Sequence, residues 1–157
     1  MGNSRLVMIK EITSGDKLIA IIIPHDFHTN SVEFFTPKEF SQQLGYMKHS
    51  AGHKIPPHTH KLVVRQIQYT QETLLVKSGR IRVDLYSDEK KYIRSEELVA
   101  GDVILLARGG HGFVFLEESE LIEVKQGPYI SFEVDKERFE ETDELKHCLL
   151  RLLTQER

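Results

Sequence analysis

The stretch ETLLVKSGRIRVDLYSDEKK, Glu72 to Lys91, decides the fold class. In RIRVDLY the apolar Ile81, Val83 and Leu85 alternate with the polar Arg82 and Asp84, the period-two pattern of a strand with one face in a core. ETLLVKSG, before it, opens on the lone carboxylate Glu72 and closes on Gly79, and SDEKK, after it, has the composition of a turn. This arrangement predicts strands joined by tight turns, with a hairpin among them. Toward the C-terminus the rhythm continues. VILLA (103–107) follows AGD, FVFL (113–116) follows Gly109, Gly110 and Gly112, and LIEV (121–124) follows EESE. A strand every eight to twelve residues or so is the spacing of an all-β barrel or sandwich, and its evenness favours a closed or nearly closed sheet.

Toward the N-terminus, RLVMIKEI (5–12) and KLIAIIIPH (17–25) predict two more strands, so that N-terminal strands occupy about 5–24. The second is apolar on both faces from Leu18 to Ile23, as expected of a strand buried on both sides or against a partner. It therefore predicts a homodimer interface. TPKEFSQQLG (36–45) has a Thr-Pro start and a Gly stop, which predicts a short helix or helical turn leading into a strand at YMKHS. After Pro128 the pattern changes. Leu145, Leu149, Leu152 and Leu153 recur at helical spacing, which predicts a C-terminal amphipathic helix over about 143–155. No repeat or linker divides the chain, so residues 1–157 are expected to form one domain, with a barrel core at about 45–129.

Composition narrows the function. The chain has 39% hydrophobic and 29% charged residues, with 21 Lys and Arg against 24 Asp and Glu, for a net charge of -3. That is a globular composition with no basic excess to neutralise a nucleic-acid backbone, so nucleic acid is not an expected partner. The longest apolar run, Leu18 to Pro24, is too short to span a bilayer, and the N-terminus lacks the order of a signal peptide. The expectation is a cytoplasmic protein with no membrane partner. The single cysteine, Cys148, lies among leucines and reads as a small buried hydrophobe.

Four residues stand out as candidate metal ligands. His58 and His60, in PPHTH, share strand parity, so an extended backbone projects both imidazoles from one face. His111 lies in the glycine-rich RGGHGF, where absent side chains let the backbone approach a ligand, and Glu72 begins a strand. Singly, each has an ordinary reading as a surface or hydrogen-bonded strand residue. If they converge, imidazole nitrogens and a carboxylate oxygen suit one divalent ion, such as zinc, manganese, iron, nickel or cobalt, with positions left open for water or substrate.

GHKIPPHTH, from Gly52, followed by Glu72 and Gly79, resembles the first motif of the cupin superfamily, in which a glycine precedes His-x-His, then a glutamate and a glycine. GDVILLARGGHGF (Gly101 to Phe113) is similar to the second motif, with Ala107 at its proline position and His111 at the fourth ligand position. This chain departs from the pattern in the longer spacer at residues 61–71, in one residue fewer between Gly109 and His111, and in Phe115 where many cupins have asparagine. The resemblance covers about Gly45 to Tyr129. It implies a cupin-type β-barrel, a double-stranded β-helix of jelly-roll character, with a metal at its mouth held by His58, His60, Glu72 and His111. The long spacer leaves a three-histidine set as the alternative. Cupins commonly pair through N-terminal strands, which implies a homodimer here as well. TQE, GGHGF and VKQGPY together are similar to small single-domain cupins associated with carbohydrate and polysaccharide biosynthesis, which implies a sugar-like ligand.

The remaining candidates would decide the reaction. In GYMKHS, Tyr46, Lys48 and His49 precede the motif. Lys48 is suited to hold a phosphate or carboxylate and His49 to act as acid or base, although strand parity lets only one face a cavity. Arg65 and Gln66 are candidate substrate-binding residues, and parity counted from His60 favours Gln66. Together these residues predict a metal-dependent isomerase or epimerase acting on a sugar or sugar derivative. An iron dioxygenase and a non-catalytic sugar-binding or sensing module are the alternatives.

Overall fold

The structure is a computed structural model that describes residues 7–142 and Leu145. Ten strands carry the fold: β1 Lys10–Ser14, β2 Lys17–Ile23, β3 Glu33–Phe34, β4 Gly45–Tyr46, β5 Glu72–Ser78, β6 Arg80–Tyr86, β7 Tyr92–Val99, β8 Val103–Leu106, β9 Gly110–Phe115 and β10 Glu120–Lys125. A single helical turn, α1 Phe132–Asp135, follows. The strands form a five-stranded sheet in the order β1-β2-β8-β5-β10, a three-stranded sheet β7-β6-β9 and a two-stranded ribbon β3-β4. All pairings are antiparallel. The all-β expectation holds. Among the described residues none of the sheets closes into a barrel.

The two larger sheets share one core. Ile12, Ile19, Ala20, Ile22, Leu74, Val76, Ile104 and Leu106 from one sheet cluster with Ile81, Val83, Leu85 and Leu98 from the other. Apart from Ile19, which sits at the register shift between β1 and β2, these are alternate positions of their strands, as the pleat requires. Fully burying a side chain of this size contributes roughly 1.5–3 kcal/mol, which makes this cluster the main source of stability.

Gly79 joins β5 to β6 and carries the chain from one sheet to the other. Its φ is 79°, and a Cβ there would collide with the Glu118 carbonyl and Ser119. No L side chain fits without strain. The hairpin at this stretch is therefore β6–β7, paired from Arg80↔Val99 to Tyr86↔Tyr92, and not β5–β6. At the edge of the small sheet, Glu96 is 6% exposed and bonds Lys10 of β1 at 2.8 Å. This ion pair ties the two sheets together at their β1 and β7 edges.

Several local expectations are corrected. TPKEFSQQLG forms no helix. It makes a turn with Phe40 N–H donating to the Pro37 carbonyl, while Gln42 N–H donates to Gln71 Oε1 rather than to a helical carbonyl. The strand expected at YMKHS ends at Tyr46, because β4 pairs only as Glu33↔Tyr46 and Phe34↔Gly45. PPHTH is not a strand either. It lies in an exposed excursion, residues 47–70, with no strand or helix, and Pro56 and Pro57 lack the N–H groups a ladder needs. The C-terminal helix expected at about 143–155, and Cys148 with it, lie outside the described residues apart from Leu145.

The two-sided burial of β2 is real, but one chain achieves it. The neighbouring residues Ala20 and Ile21, on opposite faces, are both fully buried, as is Leu105 opposite Ile21 on β8. No exposed second face remains on β2 to drive pairing. Among the described residues no helix is long and apolar enough to cross a membrane.

Candidate functional site

The fold brings Glu72 and His111 together from opposite sheets. Glu72 starts β5 with Leu74 and Val76 on its face, so its carboxylate enters the space between the sheets, where the residue is 5% exposed. On β9 His111 pairs with Leu85, a core residue, and shares its inward direction. His111 Nε2 lies 3.1 Å from Glu72 Oε2. Lys136 Nζ lies 3.6 Å and Lys125 Nζ 4.0 Å from the other carboxylate oxygen. Lys125 comes from β10, whose register Lys125↔Glu72 sets the two side by side.

The hydrogen bond with His111 holds the Glu72 carboxyl down at about 2, against the opposing pull of burial, with the charges of His111, Lys136 and Lys125 adding to the effect. The group is therefore an anion at neutral pH. Lys125 is pushed above its ordinary value, chiefly by its contact with Glu123 at 3.1 Å. Because Glu72 is an acceptor only, a neutral His111 donates from Nε2 and keeps its lone pair on Nδ1.

Above this pair lies a cavity of about 620 Å³, within the range of small-molecule sites. The loop before β5 forms one wall with Ile67, Gln68, Tyr69 and Thr70, and Gly109 and Gly110 form another. Gly109 has φ 74°, and a Cβ there would strike the Tyr86 carbonyl, so only glycine lets the chain turn into β9 and deliver His111. Arg108 stacks over the Tyr69 ring at 4.3 Å and reaches Asp88 at 3.8 Å. A network of amides braces the rim. Gln71 N–H donates to Gln126 Oε1 at 2.7 Å, Gln126 Nε2 to Ser41 Oγ at 2.7 Å, and Gln42 Nε2 to the Gln71 carbonyl at 2.9 Å. Gln71 is 5% exposed, and its Oε1 accepts from Ser41 Oγ and from Gln42 N–H.

No family model matches the chain, and no curated protein or solved structure matches it.

The other sequence candidates stand apart from this pair. His58 and His60 sit in the excursion with their rings 5.5 Å apart, and His58 Nδ1 lies 3.0 Å from the Pro56 carbonyl. His49 stacks on His53 at 4.1 Å, and Lys48 donates to Asn30 Oδ1 at 3.0 Å on the surface. Tyr46 packs edge-on against Phe27 at 5.4 Å. Gln66 lines a smaller cavity of about 210 Å³ beside Tyr69 and Arg108, and Arg65 is exposed. Among the described residues no group of three or more His, Cys, Asp or Glu gathers as a metal would require. Two donors, Glu72 and His111, are in place. Of the four candidate ligands, these two alone are placed together at the cavity.

Sequence reasoning missed Lys125 and Lys136. Lys125 was legible, since period two from Leu121 through Glu123 turns it inward with them. Lys136 lies in a segment without periodicity, and nothing in its neighbours announces it.

Proposed function

We propose that the cavity over Glu72 and His111 binds a small hydroxylated carbonyl compound, a sugar or sugar derivative with an acidic group, and moves a proton at the carbon beside its carbonyl. This is the chemistry of an isomerase or epimerase. The observation that carries it is the buried Glu72 carboxylate, 3.1 Å from His111 Nε2 and within 4.0 Å of two lysines, at the floor of a ligand-sized cavity. A carboxylate that fixes one imidazole nitrogen as donor leaves the other as a base and stabilises the imidazolium that forms. In the forward step the C–H bond breaks, its proton goes to His111 Nδ1 and its electron pair moves into the carbonyl, giving an enediolate. Return of the proton to the neighbouring carbon, with the hydroxyl proton of the first carbon passing to the former carbonyl oxygen, isomerises the substrate, and return to the opposite face of the same carbon epimerises it. Lys125 and Lys136 stabilise the negative oxygen or hold the acidic group. No oxidant or reductant is required.

A metal-centred form of this reading keeps one observation in its favour: Glu72 and His111, taken as ligands from two separate motifs, are adjacent. It requires His58 and His60 to join them. The test is proton exchange in heavy water, with aldoses, ketoses, uronic acids and sugar phosphates followed by NMR, with and without added divalent metal. The expected result is deuterium at the carbon beside the carbonyl, lowered a hundredfold or so by His111→Asn and Glu72→Gln. Exchange that survives both substitutions, or none across the panel, overturns the proton-transfer reading. Exchange that needs metal and is lost in His58→Ala selects the metal-centred form. Oxygen uptake in place of exchange selects the dioxygenase, and ligand binding without turnover selects a sensing module.

A further inference from the structure

Residues 134–137 and Phe139, within the segment 131–142, line the cavity, and the segment is held there in an unusual way. Apart from α1, a single turn with Asp135 N–H donating to the Ser131 carbonyl, it has no regular structure, and residues 133–138 are all exposed. Side chains hold it instead. Lys136 reaches Glu72 at 3.6 Å, and Glu137 accepts from Lys90 Nζ at 2.6 Å. Phe139, partly buried among exposed neighbours, packs edge-on against Tyr86 with ring centroids 5.1 Å apart. Its ring also fills the space beside Gly110, where a Cβ would stand 2.7 Å from Phe139 Cζ. Lys136, Glu137 and Phe139 of the segment line both the main cavity and a second one of about 340 Å³, and His111 borders both.

We propose that residues 131–142 form a strap that closes the cavity, with Phe139 seated in the notch at Gly110 as its latch, and that lifting it exposes His111 and withdraws Lys136 from Glu72. Segments held by few side-chain contacts and no ladder open at far lower free energy than the sheets beneath them, and lids that exclude water and complete a site are drawn from such segments. The strap stands on the packing of Phe139. Its role in admitting a ligand rests on the reading of the cavity as a ligand site.

The test compares Phe139→Ala, Gly110→Ala and the double variant. Gly110 does not have a positive φ, so alanine strains no backbone there. Two rates are read by mass spectrometry: tryptic cleavage after Lys136 and Arg138, and modification of His111 by diethyl pyrocarbonate. Each single variant is expected to raise both rates about tenfold at unchanged melting temperature, and the double variant no further, because each change by itself removes the Phe139 ring from the notch, one by deleting the ring and the other by filling its seat. Unchanged rates in both single variants overturn the proposal, as do additive effects in the double variant. A rise at Lys136 and Arg138 matched by an equal rise at sites in the sheets would be global unfolding and would also overturn it. Neither readout uses a substrate, so the strap can fail while the proton-transfer reading stands, and the reverse.

Discussion

Residues 72–86 and 61–69 carry similar apolar alternation and meet opposite fates. In the first, Leu74, Val76, Ile81, Val83 and Leu85 are between 0% and 3% exposed. In the second, KLVVRQIQY, Leu62 is 101% and Val64 97% exposed. The difference is pairing. Each strand in 72–86 has hydrogen-bonded neighbours on both sides, β10 and β8 for β5, β7 and β9 for β6, and the pleat then sorts its side chains. The excursion has no ladder, so its alternation sorts nothing. The same division runs through the candidate ligands: Glu72 and His111 stand on paired strands and meet, whereas His58 and His60 stand on the excursion and remain with one another.

The largest expected effect tests this contrast in stability. Leu85→Ala should lower unfolding free energy by about 2–5 kcal/mol in urea denaturation, while Leu62→Ala should stay within about 0.5 kcal/mol. A comparable loss at Leu62 would mean that the excursion packs in solution.

Acid should then separate the two sets of ligands. The Glu72 pKa in the fold, about 2, lies below its ordinary 4.5, so its contribution is complete above about pH 4.5 and is lost as pH falls toward 2. The contribution is on the order of 2–3 kcal/mol. Glu72→Gln should flatten that part of the stability profile, and His58→Ala together with His60→Ala should leave it in place. An unchanged acid limb in Glu72→Gln would contradict the site's electrostatics.

A smaller loss is expected at Asp102, which joins the β7–β8 turn to the end of β2 by accepting from His25 N–H at 2.7 Å and from Val99 N–H at 2.9 Å. Asp102→Ala should cost about 1–3 kcal/mol, whereas Lys48→Ala, removing one surface contact to Asn30, should cost less than about 0.5 kcal/mol. The smallest effect is spectroscopic. Burial, with Asp84 and Glu141 adding to it, raises the Tyr86 phenol to about 12. In a titration of tyrosinate absorbance it should therefore ionise about two units above an ordinary tyrosine. In Phe139→Ala its midpoint should fall toward 10, and a midpoint that does not move would detach Phe139 from Tyr86.

Most of the sheet was legible in the sequence, because alternation and turn chemistry are local. RIRVDLY is β6, VILLA holds β8, LIEV lies within β10, and Glu72 does begin β5. The N-terminal run KLIAIIIPH contains β2, though the strand before it begins at Lys10 rather than Arg5. Where local signals misled, a longer-range bond had prevailed: of the short helix or helical turn expected at 36–45 only the turn at Pro37–Phe40 forms, and Gln71 takes the N–H of Gln42.

By itself, then, the sequence determined an all-β chain, the positions of its turns and the place of Glu72 at the head of a strand, since each depends on residues close together along the chain. Which strands neighbour one another was left to the tertiary structure. Only that pairing decided that Glu72 of β5 meets His111 of β9 across the core, that Lys125 comes beside them, and that Lys136 and Phe139 reach the same place from a segment without periodicity. Contacts between residues far apart in sequence are set by sheet order and packing, and neither is written in the period of any one strand.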